Sequence, residues 1–433
     1  MREKRNRAAL LSALWLALTV CAFSGRAQDW AQVNIRHRQR IDLRELGYAG
    51  VNEIPANSSA ITSLLTARDG LIYGATSGES AYLFLFDPAL NKVRHLGRIA
   101  AEEGVHHALA EDREGNLYLG TGRDLFREIP LSEGGIGRGN EADKILWQDI
   151  RRHYSGYAGG HLYRYRPQQS NGRVRLPDML CETEDLGIPV ARNAIYALTS
   201  DAAGEEVYGL TYPDGHFFVY DLRRGRVRDL GEVDSQIVFR GPERHWRSLP
   251  RALICDPGTG RVFFSSTGGR LRYYCPKGKQ MAEAQARIPG DDYHLQFYTD
   301  YAVAEMFAQA PSGLIYGGSS DGYLFALNPA TLQVINHGKP RASRRIRCLA
   351  VGRDGRVYLM AGERSASRPC QFYCFDPVTG GFTDLGLLIA DRSPHYYWRG
   401  QQFDAMTVGD DGTLYLGESE RRSHLFLYMP PTP

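Results

Sequence analysis

Residues 63–77 read SLLTARDGLIYGATS, and residues 81–97 read AYLFLFDPALNKVRHLG. Together they spell four short strands. An apolar run meets a tight turn at Arg68-Asp69-Gly70, and an Ile-Tyr-Gly strand follows. An aromatic strand then stops at Asp87-Pro88, and a last strand ends in Leu96-Gly97. The alternation in LFLF marks a strand, and Gly and Asp-Pro punctuate turns. The unit recurs six more times. Its traces are HHALAEDREGNLYLGTG (106–122) with HLYRYRP and EDLG, AIYALTSDAAGEEVYGLTYPDGHFFVYDL (194–222) with VRDLG, and PRALICDPGTGRVFFSSTGGRLRYYCP (250–276). They continue as EMFAQAPSGLIYGGSSDGYLFALNP (305–329), IRCLAVGRDGRVYLMAGE (346–363) with QFYCFDP and FTDLG, and FDAMTVGDDGTLYLGESERRSHLFLYMP (403–430).

Four short strands at a period of roughly 40 to 70 residues are the signature of a β-propeller. The predicted fold is all-β, a seven-bladed propeller. The seventh unit lacks a fourth strand. The segment Arg40-Ile41-Asp42-Leu43-Arg44-Glu45-Leu46-Gly47 resembles the missing one, so the ring is expected to close by an N-terminal strand completing the last blade, which removes exposed sheet edges.

Ahead of that strand lie Arg2, Lys4, Arg5 and Arg7, an apolar run from Ala8 to Gly25, and the small residues of Gly25-Arg26-Ala27. This is the pattern of a cleaved export signal, so residues 1–27 are read as a signal peptide and 28–433 as a single propeller domain, secreted or periplasmic. Leu18-Thr19-Val20-Cys21 is a poor lipoprotein box, because Val stands where a small residue is wanted. The formal net charge of the 433 residues is +3. The signal carries five of the basic residues against Glu3, so the remaining chain sits near −1 and global charge gives no support for a polyanion partner.

At 43% hydrophobic and 23% charged residues the chain is neither disordered nor a coiled coil, and no later apolar run approaches the length of a membrane span. Arginines are dispersed and the chain is read as exported, so no nucleic-acid partner is expected. Six cysteines remain after the signal, too few for a disulfide scaffold. Cys370 and Cys374 stand about 13 Å apart along one strand and cannot bridge each other. Buried thiols, one isolated disulfide, or a structural zinc on Cys255 and Cys275 with a His remain open, as does a structural calcium. No cofactor is otherwise implied. Asp boxes, Trp-Asp repeats, quinoprotein tryptophan repeats, phosphate loops and HExxH are all absent from the sequence.

The turns between first and second strands are short, whereas the connections near 231–249, 283–303 and 387–403 and the insertion near 123–160 are long. All emerge on one face, around the mouth of the central channel, where function lives on a rigid scaffold. Aligning the innermost strands on the glycine of their turns gives one column: Thr62, His107, Tyr196, Arg251, Glu305, Arg347 and Asp404. All seven are polar. A wet channel alone would account for that. The run His107, Tyr196, Arg251 on consecutive blades is more specific, since a base, a phenol and a guanidinium converging in a concave mouth can do chemistry.

The seven units and the His and Tyr on consecutive innermost strands resemble the seven-bladed polysaccharide lyases of the ulvan lyase type. That resemblance implies β-elimination on a uronate-containing glycan, sulfated or not; the chain is expected to be a monomer. Arg251 would neutralise the uronate carboxylate, while His107 and Tyr196 move protons between C5 and the leaving oxygen. The family's second His and its loop Arg have no direct counterparts. Arg123 in the second blade's loop, and Tyr212 and His216 in the third's, stand nearest. His161, His216 and His424 each begin a third strand, and a repeated hydrogen bond explains them as well as substrate binding does. His106 should face away from His107. Trp398, Trp147, His153, Tyr154, Tyr157 and the run His245-Trp246-Arg247 could stack on sugar or pack in loops. The substrate-contact set is therefore Arg123, His161, Tyr212, His216, Glu305, Arg347, Asp404 and Trp398. The alternative is a non-catalytic propeller that binds a glycan or a protein in the cell envelope.

Overall fold

The computed structural model describes residues 40–42, 54–123, 152, 154–170, 178–233, 250–291, 302–341, 345–362, 370–392, 396–420 and 422–431. The signal segment 1–27, Trp147, His153, the run 245–247 and most of the insertion and of the connections 234–249 and 292–301 lie outside them.

Seven four-stranded antiparallel sheets form a seven-bladed β-propeller. Blade one is Ala60–Thr66, Ile72–Ser77, Tyr82–Asp87 and Lys92–Arg98, in order from the axis outward. Blade seven uses Phe403–Val408, Leu414–Glu418 and His424–Tyr428, and its outer strand is Arg40–Asp42, with Ile41 opposite Leu425. The expected connection at 387–403 contains a hairpin, Ile389–Arg392 paired with Tyr396–Arg399. In blade four the outer strand runs Gln280–Arg287, past residue 283, where the sequence reading began a connection. Its inward face carries only the small Ala282, Ala284 and Ala286 against Glu283, Gln285 and Arg287 on the other, so hydrophobic periodicity marks its end weakly.

Three sequence features recur among the blades. In blades one, two and six the tyrosine of the second strand is buried and donates its hydroxyl to an aspartate at the first turn. Tyr73 donates to Asp69 at 3.0 Å, Tyr118 to Asp112 at 3.0 Å and Tyr358 to Asp354 at 2.7 Å. The glycine after it leaves room for an aromatic ring: a Cβ on Gly209 would stand 2.2 Å from Phe218. The Asp of the terminal Asp-Leu-Gly accepts the glycine N–H two residues on, at 2.8 Å in Asp185, Asp229 and Asp384. Gly187, Gly231 and Gly386 have φ between 83° and 91°, a left-handed backbone that glycine adopts without a Cβ penalty. Between blades the core is aromatic and aliphatic, as where Phe217 packs on Phe264 and Tyr274.

Among the described residues no helix is long and apolar enough to cross a membrane. The six described cysteines are free thiols, with Cys181, Cys348, Cys370 and Cys374 buried. Among those residues no group of three or more His, Cys, Asp and Glu could hold a metal ion.

Candidate functional site at the channel mouth

The aligned column has a structural identity. In five blades its residue is the extra residue of a β-bulge between the first two strands: Thr62, Tyr196, Glu305, Arg347 and Asp404. A bulge leaves one residue unpaired and re-aims its side chain. Here that device turns one polar residue per blade toward the axis. His107 reaches the same ring by another route, with a left-handed φ of 42° just before the strand Leu109–Glu111. Arg251 precedes the two-residue strand Ile254–Cys255.

The left-handed turn at His107 also breaks the alternation expected of an extended chain. His106 therefore does not face away: its ring stacks on Tyr196 at 5.6 Å between centres and 16° between planes, and its Nε2 lies 3.1 Å from the Arg123 carbonyl. His107 meets the same Tyr196 at 6.1 Å. Tyr212 backs Tyr196 at 6.2 Å, and Tyr154 packs edge-on to Tyr212 at 5.7 Å. Further out, the Arg123 guanidinium lies 5.1 Å over Tyr157, whose hydroxyl donates to Glu102 at 3.1 Å. Blades two and three thus present an aromatic half of the mouth.

Blades four to seven present a charged half. Arg251 Nη1 donates to Glu305 Oε1 at 2.8 Å. Arg345 grips the same carboxylate with both sides of its fork, Nε to Oε1 at 3.1 Å and Nη2 to Oε2 at 3.0 Å. Arg347 binds Asp404 Oδ1 through Nε at 2.7 Å and Nη2 at 2.6 Å. Gln402 donates to Asp404 Oδ2 at 2.8 Å, and Ser419 donates to it as well. Thr62 closes the ring with a 2.6 Å bond to the Val105 carbonyl.

These groups tune one another across the axis. Burial pushes the His107 conjugate acid down to about 4; Asp404 and Glu305 resist, while His106 and Arg347 add to it. Blade two therefore feels blades five, six and seven. Burial pushes Glu305 up, but Arg251, Arg345 and Arg347 outweigh it and hold the carboxyl at about 2. Asp404 is likewise lowered, burial being overcome by Arg347, Ser419 and Gln402. Burial raises the Tyr196 phenol, with Arg251 and Arg345 pulling against it. The result is a neutral imidazole, a protonated phenol and ionised carboxylates near neutral pH.

His107, Tyr196, Arg251, Tyr212, Glu305, Arg347 and Asp404 are thus brought together, and Arg123 borders them. Three other residues of the substrate-contact set stand apart. His161 and His216 place Nδ1 2.9 Å from Asp185 and Asp229, the aspartates of the outer-strand Asp-Leu-Gly motif. Gln371 makes the same bond to Asp384 in blade six. Trp398 turns inward: its indole N–H donates to both Glu418 carboxylate oxygens at 3.0 Å, and its ring meets His424 edge-on at 4.6 Å. Sequence reasoning missed Arg345. It lies outside the aligned column, at a left-handed φ of 65° two residues before Arg347, and the Arg-rich run 344–347 was its only signal.

No family model matches the sequence, and no curated protein does. Solved structures do. A streptogramin B lyase structure matches with a TM-score of 0.56 at 10% identity, over 90% of this chain and 97% of that one. An extracellular domain ascribed to a one-component system of B. thetaiotaomicron matches at 0.52 and 13% identity, over 89% of this chain and 39% of that one. A fungal alcohol oxidase in complex with copper matches at 0.53 and 13% identity, over 90% and 76%. Lyase, sensor and oxidase share no chemistry, so what they have in common with this chain is the propeller fold.

Proposed function

We propose that the chain is an exported carbohydrate-active enzyme, a polysaccharide lyase that cleaves a uronate-containing glycan by β-elimination. The observation that carries this reading is the contact of His107 with Tyr196, in a channel where two guanidiniums share the one Glu305 carboxylate. A substrate carboxylate seated toward Arg251 and Arg345 gains charge stabilisation, which acidifies the adjacent C5–H. His107 is neutral above its depressed pKa and takes that proton. The C5–H electron pair forms the C4=C5 double bond as the C4–O bond breaks. Tyr196, kept protonated by burial, gives its proton to the leaving oxygen and regains one from water. Tyr212 buttresses the Tyr196 ring. The streptogramin B lyase structure supports the reading to the extent that this architecture hosts a lyase elsewhere.

A second reading keeps the fold and drops the chemistry. The channel's carboxylates are already paired with arginines and are 4–5% exposed, as a structural or purely binding channel would have them. Such a protein would bind glycan or a protein partner without turnover.

Incubation with ulvan, other uronate glycans and pectin separates the two, following the ultraviolet absorbance of the unsaturated product. We expect a rise with at least one polymer, and His107→Ala or Tyr196→Phe to slow it by about 10²- to 10⁴-fold. No rise with any polymer in the folded protein sinks the lyase reading. A rise indifferent to both substitutions sinks the site.

A further inference from the structure

Tyr196 meets three rings, His106 at 5.6 Å, His107 at 6.1 Å and Tyr212 at 6.2 Å between centres. Only the His106 contact is close to parallel, at 16° between planes against 35° and 45° for the others. His106 is 1% exposed, whereas His107 and Tyr196 both keep partial exposure. The stacked imidazole is also anchored. Its Nε2 lies 3.1 Å from the Arg123 carbonyl, and a carbonyl only accepts, so Nε2 carries the proton. Gly104 makes room for the ring: a Cβ there would stand 2.8 Å from Nε2. The backbones of Gly104 and Gly122 bond each other in both directions at 2.9 Å, which fixes the carbonyl of the next residue, Arg123. The left-handed turn at His107 is what lets two successive side chains reach one phenol.

We propose that His106 is the positioning residue of Tyr196: its anchored imidazole fixes the plane of the phenol that protonates the leaving oxygen. The inference rests on the role given to Tyr196 above. The outer side-chain torsion of a tyrosine is broad, so burial alone does not aim its hydroxyl. A proton donor must point at one oxygen, and a misplacement of about 1 Å can cost about 10²-fold in rate. A parallel face held by its own hydrogen bond narrows that torsion, which the two tilted neighbours do less well. The adjacent histidines thus divide the work. His107, open to the channel, takes the proton from carbon. His106, buried behind Tyr196, acts only through the ring it stacks on.

Three variants of the whole protein test this, each by kcat and KM on the polymer that the wild type cleaves and by a crystal structure. His106→Leu keeps bulk but removes the flat face and the N–H donor. It should lower kcat by about 10- to 100-fold with KM little changed, and swing the Tyr196 hydroxyl by about 1 Å. His106→Gln offers a planar amide and an N–H near the place of Nε2, and should restore both kcat and the hydroxyl position. Gly104→Ala leaves every reacting group intact, but its Cβ displaces the imidazole. It should reproduce the loss seen in His106→Leu, and it decides the matter should that variant not fold. A residue that only supported the fold would lower the unfolding midpoint and leave kcat of the folded protein unchanged. An unchanged kcat or an unmoved hydroxyl in His106→Leu, or in Gly104→Ala in its place, overturns the proposal. So does a His106→Gln as slow as His106→Leu, since the imidazole would then be carrying a proton itself. If the wild type cleaves no polymer, the lyase reading falls alone, and the hydroxyl positions in the crystal structures still decide whether His106 sets Tyr196. A protein that cleaves, slows in Tyr196→Phe and ignores His106→Leu defeats this proposal alone.

Discussion

His107 carries two costs at once. Its left-handed φ of 42° is a conformation worth about 1–3 kcal/mol of strain in a residue with a Cβ, and its ring is held where a proton is unwelcome. The second cost has a pH signature. The ordinary value of 6.5 falls to about 4 in the folded protein. Below pH 6.5 the unfolded chain takes up a proton that the folded chain refuses. The stability owed to neutral His107 is therefore complete above 6.5 and drains away toward pH 4, by about 3 kcal/mol in all. Glu305 acts in the next window. Its carboxyl falls from 4.5 to about 2, so its contribution is full above 4.5 and disappears as pH drops to 2. Urea-unfolding midpoints measured from pH 7.5 to 4.5 should decline in the wild type and decline less in His107→Gln. An equal slope in the two proteins would show that His107 titrates normally.

Within blade seven the inserted hairpin is fastened by a buried polar cluster. Trp398 comes from the hairpin strand Tyr396–Arg399, Glu418 ends the blade's second strand, and His424 begins its third. Glu418 and His424 are fully buried, with Oε2 and Nδ1 2.7 Å apart. Burial pushes the Glu418 carboxyl up, and the His424 and Trp398 bonds pull against it. Glu418→Leu removes both of these bonds from a buried cluster and should cost about 3–5 kcal/mol by thermal or urea denaturation. Adding His424→Leu should restore part of that loss, with a coupling energy of at least about 1 kcal/mol. Strict additivity would mean that the two side chains do not depend on each other. His424 also shows why the site was only partly legible. His161, His216 and His424 occupy one repeat position, yet two bind an outer-strand aspartate and the third a buried glutamate, because partner choice lies in neighbouring strands. The channel column was readable because a bulge recurs at a fixed distance from a glycine turn. The sharing of Glu305 between Arg251 and Arg345 was not, since it depends on how closely separate blades approach. His106 was misplaced because alternation presumes an extended backbone, which His107 lacks.

The ring as a whole turns on one seam. Blade seven meets blade one through Thr66 and Thr407, whose hydroxyls lie 2.9 Å apart, and through Ser423 N–H, which donates to Ser59 Oγ at 3.2 Å. Gly417 admits Ile61 so closely that a Cβ there would stand 2.4 Å from its Cγ2. Thr66 and Thr407 belong to the two innermost strands, while Gly417 and Ser423 bring the second strand of blade seven and the start of its third against blade one. On the outside, the third strand His424–Tyr428 meets Arg40–Asp42, a segment from the far end of the sequence. Without it the backbone edge at His424, Leu425 and Phe426 has no partner, and an open edge is both a loss of hydrogen bonds and a template for pairing with another chain. Two chains, one beginning at residue 28 and one at residue 54, put this to measurement. The shorter chain should melt several degrees lower and associate as concentration rises, while charge substitutions at the channel mouth leave that association unchanged. If both chains melt together and stay equally monodisperse, the seam on the axis suffices and the N-terminal strand is not what closes the ring.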